Sequence, residues 1–140
     1  MKVLISPLAL FGGLLLFGIF GGNKVFGATV LGLTRTHSGA GVTVKVTYLN
    51  PKETESVRFE VVLDTHSVNL DGYDLKVLSV LRDEMGKEYQ PTQVENKGSG
   101  HHREIILIFP KSSSGAKRLD LVIKDIAKVK ERSFSWDLSQ

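Results

Sequence analysis

The sequence predicts an all-β fold, an antiparallel sandwich of seven or eight short strands, on three observations. Apolar and polar residues alternate with period two over most of the chain beyond residue 40, the pattern of a strand with one face buried. Helical periodicity is nearly absent from the same region. Turn-forming residues recur about every ten residues, as they do where short strands fold back on one another.

Ahead of that region lies a different segment. Residues 3–20 form an uncharged run of 18 residues behind Lys2, interrupted by Pro7 and by Gly12-Gly13. A basic residue, an apolar stretch and small residues before a cut make a secretory signal peptide. Val25-Phe26-Gly27 before Ala28 supplies such a cut. With Gly21 and Gly22 the run also reaches the length of about 20 residues that a membrane helix needs, and glycine is well tolerated in such helices. The two readings of residues 1–28, a cleaved signal peptide or an N-terminal membrane anchor, both put a domain over 29–140 outside the cytoplasm.

The strands follow in order. A first one is expected in TVLGLTR, beginning near residue 29. In GVTVKVTYL, Val42, Val44, Val46 and Tyr48 share one face, and Asn50-Pro51-Lys52 ends the run because proline donates no ladder hydrogen bond. VRFEVVL points Val57, Phe59, Val61 and Leu63 inward. VLSVLR (77–82) and KEYQPT (87–92) read as a pair joined by Asp83-Glu84-Met85-Gly86, with glycine supplying a positive φ. After the polar stretch VENKGSGHH, EIILIF is apolar on both faces and reads as a central strand. RLDLVIKDI alternates through Leu119, Leu121 and Ile123, and SFSWDL through Phe134, Trp136 and Leu138. This spacing suits an immunoglobulin-like sandwich with Greek-key connections; a small closed barrel of similar strand count is the competitor.

Charge and composition exclude several function classes. Of 18 basic and 15 acidic residues in 140, only Lys2 and Lys24 fall in the first 28. The remainder is close to neutral, so no nucleic-acid surface is indicated. Without cysteine the chain has no disulfide, thiolate metal site or cysteine nucleophile. The mixed-sign run 124–132 (KDIAKVKER) reads as a solvated loop or a lysine-guarded edge strand, or as a basic face against anionic lipid.

Two polar segments stand out. The first, Asp64-Thr65-His66-Ser67-Val68-Asn69-Leu70-Asp71, runs on to Tyr73 and Asp74; the second is Gly98-Ser99-Gly100-His101-His102-Arg103. Loops cluster at the two ends of a sandwich, so these two are able to meet at one end. A metal site from His66, His101 or His102 with Asp64 or Asp71 would suit zinc, copper(II) or iron, which accept nitrogen and oxygen donors. Adjacent histidines on an extended chain point to opposite faces, so one of His101 and His102 would ligate with His66. The competing reading is a structural lock. Histidines then bond carbonyls or carboxylates, Asn69, Asp71 and Asp74 shape Asx-turns, and Arg103 bridges Asp64 or Asp71 bidentately.

Catalytic patterns are missing. Ser67 adjoins His66 in sequence, so their side chains diverge. No glycine-framed serine elbow and no phosphate-binding glycine loop followed by lysine is present.

The segments LDTHSVNLDGYDL, VLRDEMGKEYQP and GSGHHREIILIFP, within residues 42–138, resemble a family of exported bacterial and archaeal immunoglobulin-like β-sandwich domains that carry LDTHSVxLD and GHHR segments. The chain departs from that pattern at Gly98-Ser99-Gly100, where consecutive glycines are expected, and at Val94-Glu95, where a Trp-Asp pair is usual. The resemblance implies a fold and an extracytoplasmic location, and no activity.

The function expected from these readings is a non-enzymatic binding or structural module at the cell envelope, secreted, periplasmic or anchored. Its partners would be another envelope protein or a second copy, with membrane contact through residues 3–22. Two alternatives are a small accessory subunit of a membrane or surface assembly, its helix packed through Gly12, Gly13 and Gly18, and a periplasmic metal-binding protein.

Overall fold

The computed structural model describes residues 32–52, 55–112 and 115–139. Nine strands, β1 (Thr34–Gly39), β2 (Val42–Tyr48), β3 (Ser56–Thr65), β4 (Ser79–Asp83), β5 (Glu88–Tyr89), β6 (Gln93–Ser99), β7 (His102–Pro110), β8 (Arg118–Ile126) and β9 (Val129–Asp137), and a one-turn helix α1 (Leu75–Leu78) are found there. They form a five-stranded sheet ordered β1-β2-β3-β7-β6 and a four-stranded sheet ordered β5-β4-β8-β9. Every strand pairing is antiparallel. The residues 1–28 read as leader or anchor, and the start of the first expected strand, lie outside the described residues. Among the described residues no helix is long and apolar enough to cross a membrane.

The sheets stack because alternate residues of both are apolar. Val42, Val44, Val46 and Tyr48 of β2, and Val57, Phe59, Val61 and Leu63 of β3, are buried as the alternation predicts. Leu119, Leu121, Phe134 and Trp136 of the other sheet join them in one core. Burying one such side chain fully is worth about 1.5–3 kcal/mol. Trp136 sits at the seam between the sheets, its ring centroid 4.9 Å from Phe59 and 5.9 Å from Tyr48. Its indole N–H donates to the Leu33 carbonyl at 2.8 Å, so the polar atom of this large residue is satisfied at the margin of the core.

Five elements differ from the pattern reading. Of the strand expected over 87–92 only Glu88–Tyr89, β5, is found. The polar stretch 93–99 is strand β6, exposed along nearly all its length. An edge strand outside the core has no reason to alternate. Residues 75–78, the last two of which open the strand expected over 77–82, turn once as α1, with the Asp74 carboxylate accepting from the Lys76 N–H at 2.9 Å as its cap. Strand β7 is interior to its sheet, yet of its apolar run only Ile105, Leu107 and Phe109 are buried, in line with Arg103; Ile106 and Ile108 are half-covered on the outer face. In the run 124–132 the β8–β9 hairpin turns at Ala127-Lys128, both with positive φ, and β9 is an edge strand. Arg132 of that run is not solvated. It is fully buried, donating to the carbonyls of Ile126 and Gly39 at 2.9 Å each.

The expected turn at 83–86 is present. Gly86 has φ +81°, and the Asp83 carboxylate accepts from the N–H groups of Met85 and Lys87, both at 3.0 Å.

Candidate functional site

The two polar segments meet at one end of the sandwich because β3 pairs with β7 in the register Leu63↔Arg103 and Asp64↔His102. Strand β6 then turns into β7 through Gly100-His101 alone. Gly100 takes φ +70°, the left-handed conformation that glycine adopts most readily in such a tight turn. The Gly98–Arg103 segment is thus a hairpin tip rather than a free loop. Gly98, with φ +75°, is crowded too: a Cβ there would lie 2.7 Å from the His102 carbonyl oxygen.

The chain leaving β3 wraps over this tip and is bonded to its backbone. Thr65 N–H donates to the His101 carbonyl at 3.0 Å and Leu70 N–H to the Gly100 carbonyl at 2.9 Å. Asp71 accepts from the Gly100 N–H at 2.7 Å. His101 Nδ1 lies 3.0 Å from the Val68 carbonyl, so the protonated nitrogen donates to it. Thr65, buried, donates its hydroxyl to the Gly41 carbonyl at 2.7 Å and accepts from the N–H groups of Ser67 and Val68 at 3.2 Å. This joins the β1–β2 turn to the same end. Asn69 closes an Asx-turn on the Asp71 N–H at 3.0 Å.

Arg103 holds the assembly from beneath. The side chain is buried, and its guanidinium donates to the carbonyls of Leu70 at 2.7 Å and Tyr73 at 2.8 Å and to the Asn96 amide oxygen at 2.7 Å. These partners replace the carboxylate bridge to Asp64 or Asp71 that the sequence suggests. A planar guanidinium with several fixed donors suits convergent carbonyl oxygens. Tyr73 completes the tie, its phenolic oxygen accepting from the Ala127 N–H of the β8–β9 turn at 3.0 Å. Sequence reasoning names Arg103 but not its partners; it misses the role of Thr65, since backbone partners leave no mark on side-chain spacing, and that of Asn96, which lies in a stretch not read as strand.

On the outer face, His102 and Asp64 stand opposite one another and bond through His102 Nδ1 and a carboxylate oxygen. With 63% and 54% of their side chains exposed, the pair is screened by solvent and worth little to stability. His66 lines a shallow depression with Gly41, Thr43, Asp64 and Thr65. The structure thus brings Asp64, His66 and His102 to one face, while His101 and Asp71 are engaged with Val68 and Gly100. Among the described residues no group of three or more His, Cys, Asp or Glu gathers where one ion could be held.

No family model, curated protein or solved structure matches this chain.

Proposed function

We propose that residues 29–140 are an exported domain of immunoglobulin-like layout that acts as a non-enzymatic binding or structural module at the cell envelope. It is either released by removal of residues 1–28 or held by them at the cytoplasmic membrane. The observation that carries this reading is how the polar end uses its side chains. Arg103, His101, Asp71 and Thr65 are committed to backbone groups of the two segments, which favours rigid presentation over chemistry at that end. The apolar run behind Lys2 and the resemblance to exported domains support the location. Cell fractionation with mass spectrometry of the native N-terminus tests it: recovery in the envelope or outside the cell is expected, and a chain wholly in the cytosol would overturn the reading.

One observation favours a metal-binding alternative. Asp64 holds His102 by Nδ1, and carboxylates commonly fix metal-bound imidazoles in this way. A zinc or copper(II) ion would draw on His102 and His66 beside Asp64, and it would polarise whatever ligand completed its shell. Metal analysis of protein purified without chelator, repeated on His66→Ala, decides this alternative; no bound metal in either protein removes it.

A further inference from the structure

We propose that the chain forms a symmetric dimer through the open edge of β6, two copies pairing antiparallel about Asn96. The two flanks of the sandwich differ. On one, β1 is tied to β9: Arg35 Nε donates to the Ser135 carbonyl at 3.2 Å, Trp136 Nε1 to the Leu33 carbonyl at 2.8 Å, and Arg132 to the Gly39 carbonyl at 2.9 Å. On the other flank β5 has two residues and β6, with seven, ends the larger sheet. Long unpaired edges are templates for pairing with another chain.

The ladder shows which groups are free. Thr65 N–H donates to the His101 carbonyl on the β3 side of β7, and Thr92 N–H to the Ile108 carbonyl on its β6 side. Main-chain groups along an antiparallel strand alternate in direction, so His102, Glu104, Ile106 and Ile108 face β6. Their partners are Ser99, Lys97, Glu95 and Gln93. Among the described residues, the N–H and C=O groups of Val94 and Asn96 therefore point away from β7 into the open edge, where Asn96 is exposed; Gly98, with φ +75°, departs from the extended alternation.

A second copy running antiparallel with Asn96 opposite Asn96 pairs the Asn96 N–H and C=O groups of the two copies. Val94 then stands opposite Gly98 of the partner subunit, and Gly98 opposite Val94 of the partner subunit. Between them, Glu95 stands opposite Lys97 of the partner subunit, and Lys97 opposite Glu95 of the partner subunit. These are the non-hydrogen-bonded positions, where side chains approach most closely. Lys97 also lies 3.9 Å from Glu104 of its own chain, so charges alternate along that row across the junction. Sliding the partner by two residues either way sets Glu95 against Glu95 or Lys97 against Lys97, and sliding by one misaligns the donors. Lysine on an edge ordinarily deters pairing; here each lysine meets a glutamate. One strand pair is a small contact, so the dimer is weak and concentration-dependent.

The proposal names a partner for the envelope module and rests on that reading. Sedimentation equilibrium of the full chain, in mild detergent to disperse the apolar N-terminal run, tests it on wild type, Lys97→Glu and the swap Glu95→Lys/Lys97→Glu. Reversible dimerisation of wild type is expected, weakened at least tenfold by Lys97→Glu and restored by the swap. Both variants lose the attraction of Lys97 to Glu104 alike, so their difference isolates the contact across the junction. Wild type monomeric at every concentration, a single variant that associates like wild type, or a swap as weak as the single variant overturns the proposal. A dimer found in a cytosolic protein would defeat the envelope reading alone, and a monomer in the envelope this one alone.

Discussion

Replacing Arg103 with methionine keeps most of the aliphatic packing and removes the charge that gathers three acceptors. The lost bonds, 2.7, 2.8 and 2.7 Å long, involve a charged donor, for which net contributions run at about 1.5–3 kcal/mol each. They share one guanidinium and do not add fully. Leu70 is fully buried, so its carbonyl loses a partner with little access to water. Tyr73 and Asn96 are less enclosed and recover part of the loss through solvent. The sum is a destabilisation of about 3–5 kcal/mol, a large share of the ~5–15 kcal/mol that holds a domain folded. For a domain of this size that lowers the melting temperature by about 12–20 °C. Urea denaturation followed by circular dichroism measures it, with Arg103→Lys, which retains charge without the planar fork, falling between wild type and Arg103→Met. A loss below about 1 kcal/mol, the range of an exposed ion pair, would refute the reasoning.

Further outcomes follow from the same contacts. His102→Ala, which removes only the exposed bond to Asp64, costs less than about 1 kcal/mol in the same assay. Trp136→Ala costs about 3–5 kcal/mol through lost packing against Phe59 and Tyr48, while Trp136→Phe, which loses the bond to Leu33 and only part of the ring packing, costs less. Gly98→Ala lowers the melting temperature, because the alanine methyl would meet the His102 carbonyl oxygen at a left-handed φ; Gly72→Ala, with nothing within 4 Å of an added Cβ, serves as the control. Acid titration loosens the fold. Hydrogen bonds from the Lys117 backbone to Glu84, from Arg82 to Glu88 and from Ser139 to Asp137 hold these carboxyls below their ordinary values. Their contribution is full above the unfolded carboxylate range of about pH 4–5 and is lost as pH falls through the folded values; Glu84→Gln flattens that part of the stability profile.

What the sequence discloses depends on which physical quantity a residue answers to. Val42 to Tyr48 and Val57 to Leu63 are legible because a sheet with one buried face enforces period two. Gly86 is legible because its turn demands a positive φ. Strand β6 is not, since both its faces are largely exposed and burial enforces no alternation there. The end of helix α1 looks like strand because Val77, apolar yet 73% exposed, and Leu78 run on into the apolar residues of β4, whereas the Asp74 cap starts a helical turn there. At the polar end, spacing marks the two segments that meet and suggests a lock. It assigns that lock to histidines, carboxylates and a bridge from Arg103 to Asp64 or Asp71, whereas in the structure Arg103 and Thr65 act on backbone carbonyls and N–H groups. Burial of Arg132 is equally hidden, since a lone arginine in a charged run reads as solvated. Burial also lowers the pKa of its guanidinium.

The docking of the 65–71 segment onto the β6–β7 tip is most directly tested by amide hydrogen exchange. Leu70 N–H, bonded to the Gly100 carbonyl, should exchange as slowly as the amides of β3 and β7, with Arg103→Met speeding Leu70 well before those strands. Rapid exchange at Leu70 in the wild-type protein, or equal acceleration everywhere in the variant, would contradict a segment held down by Arg103.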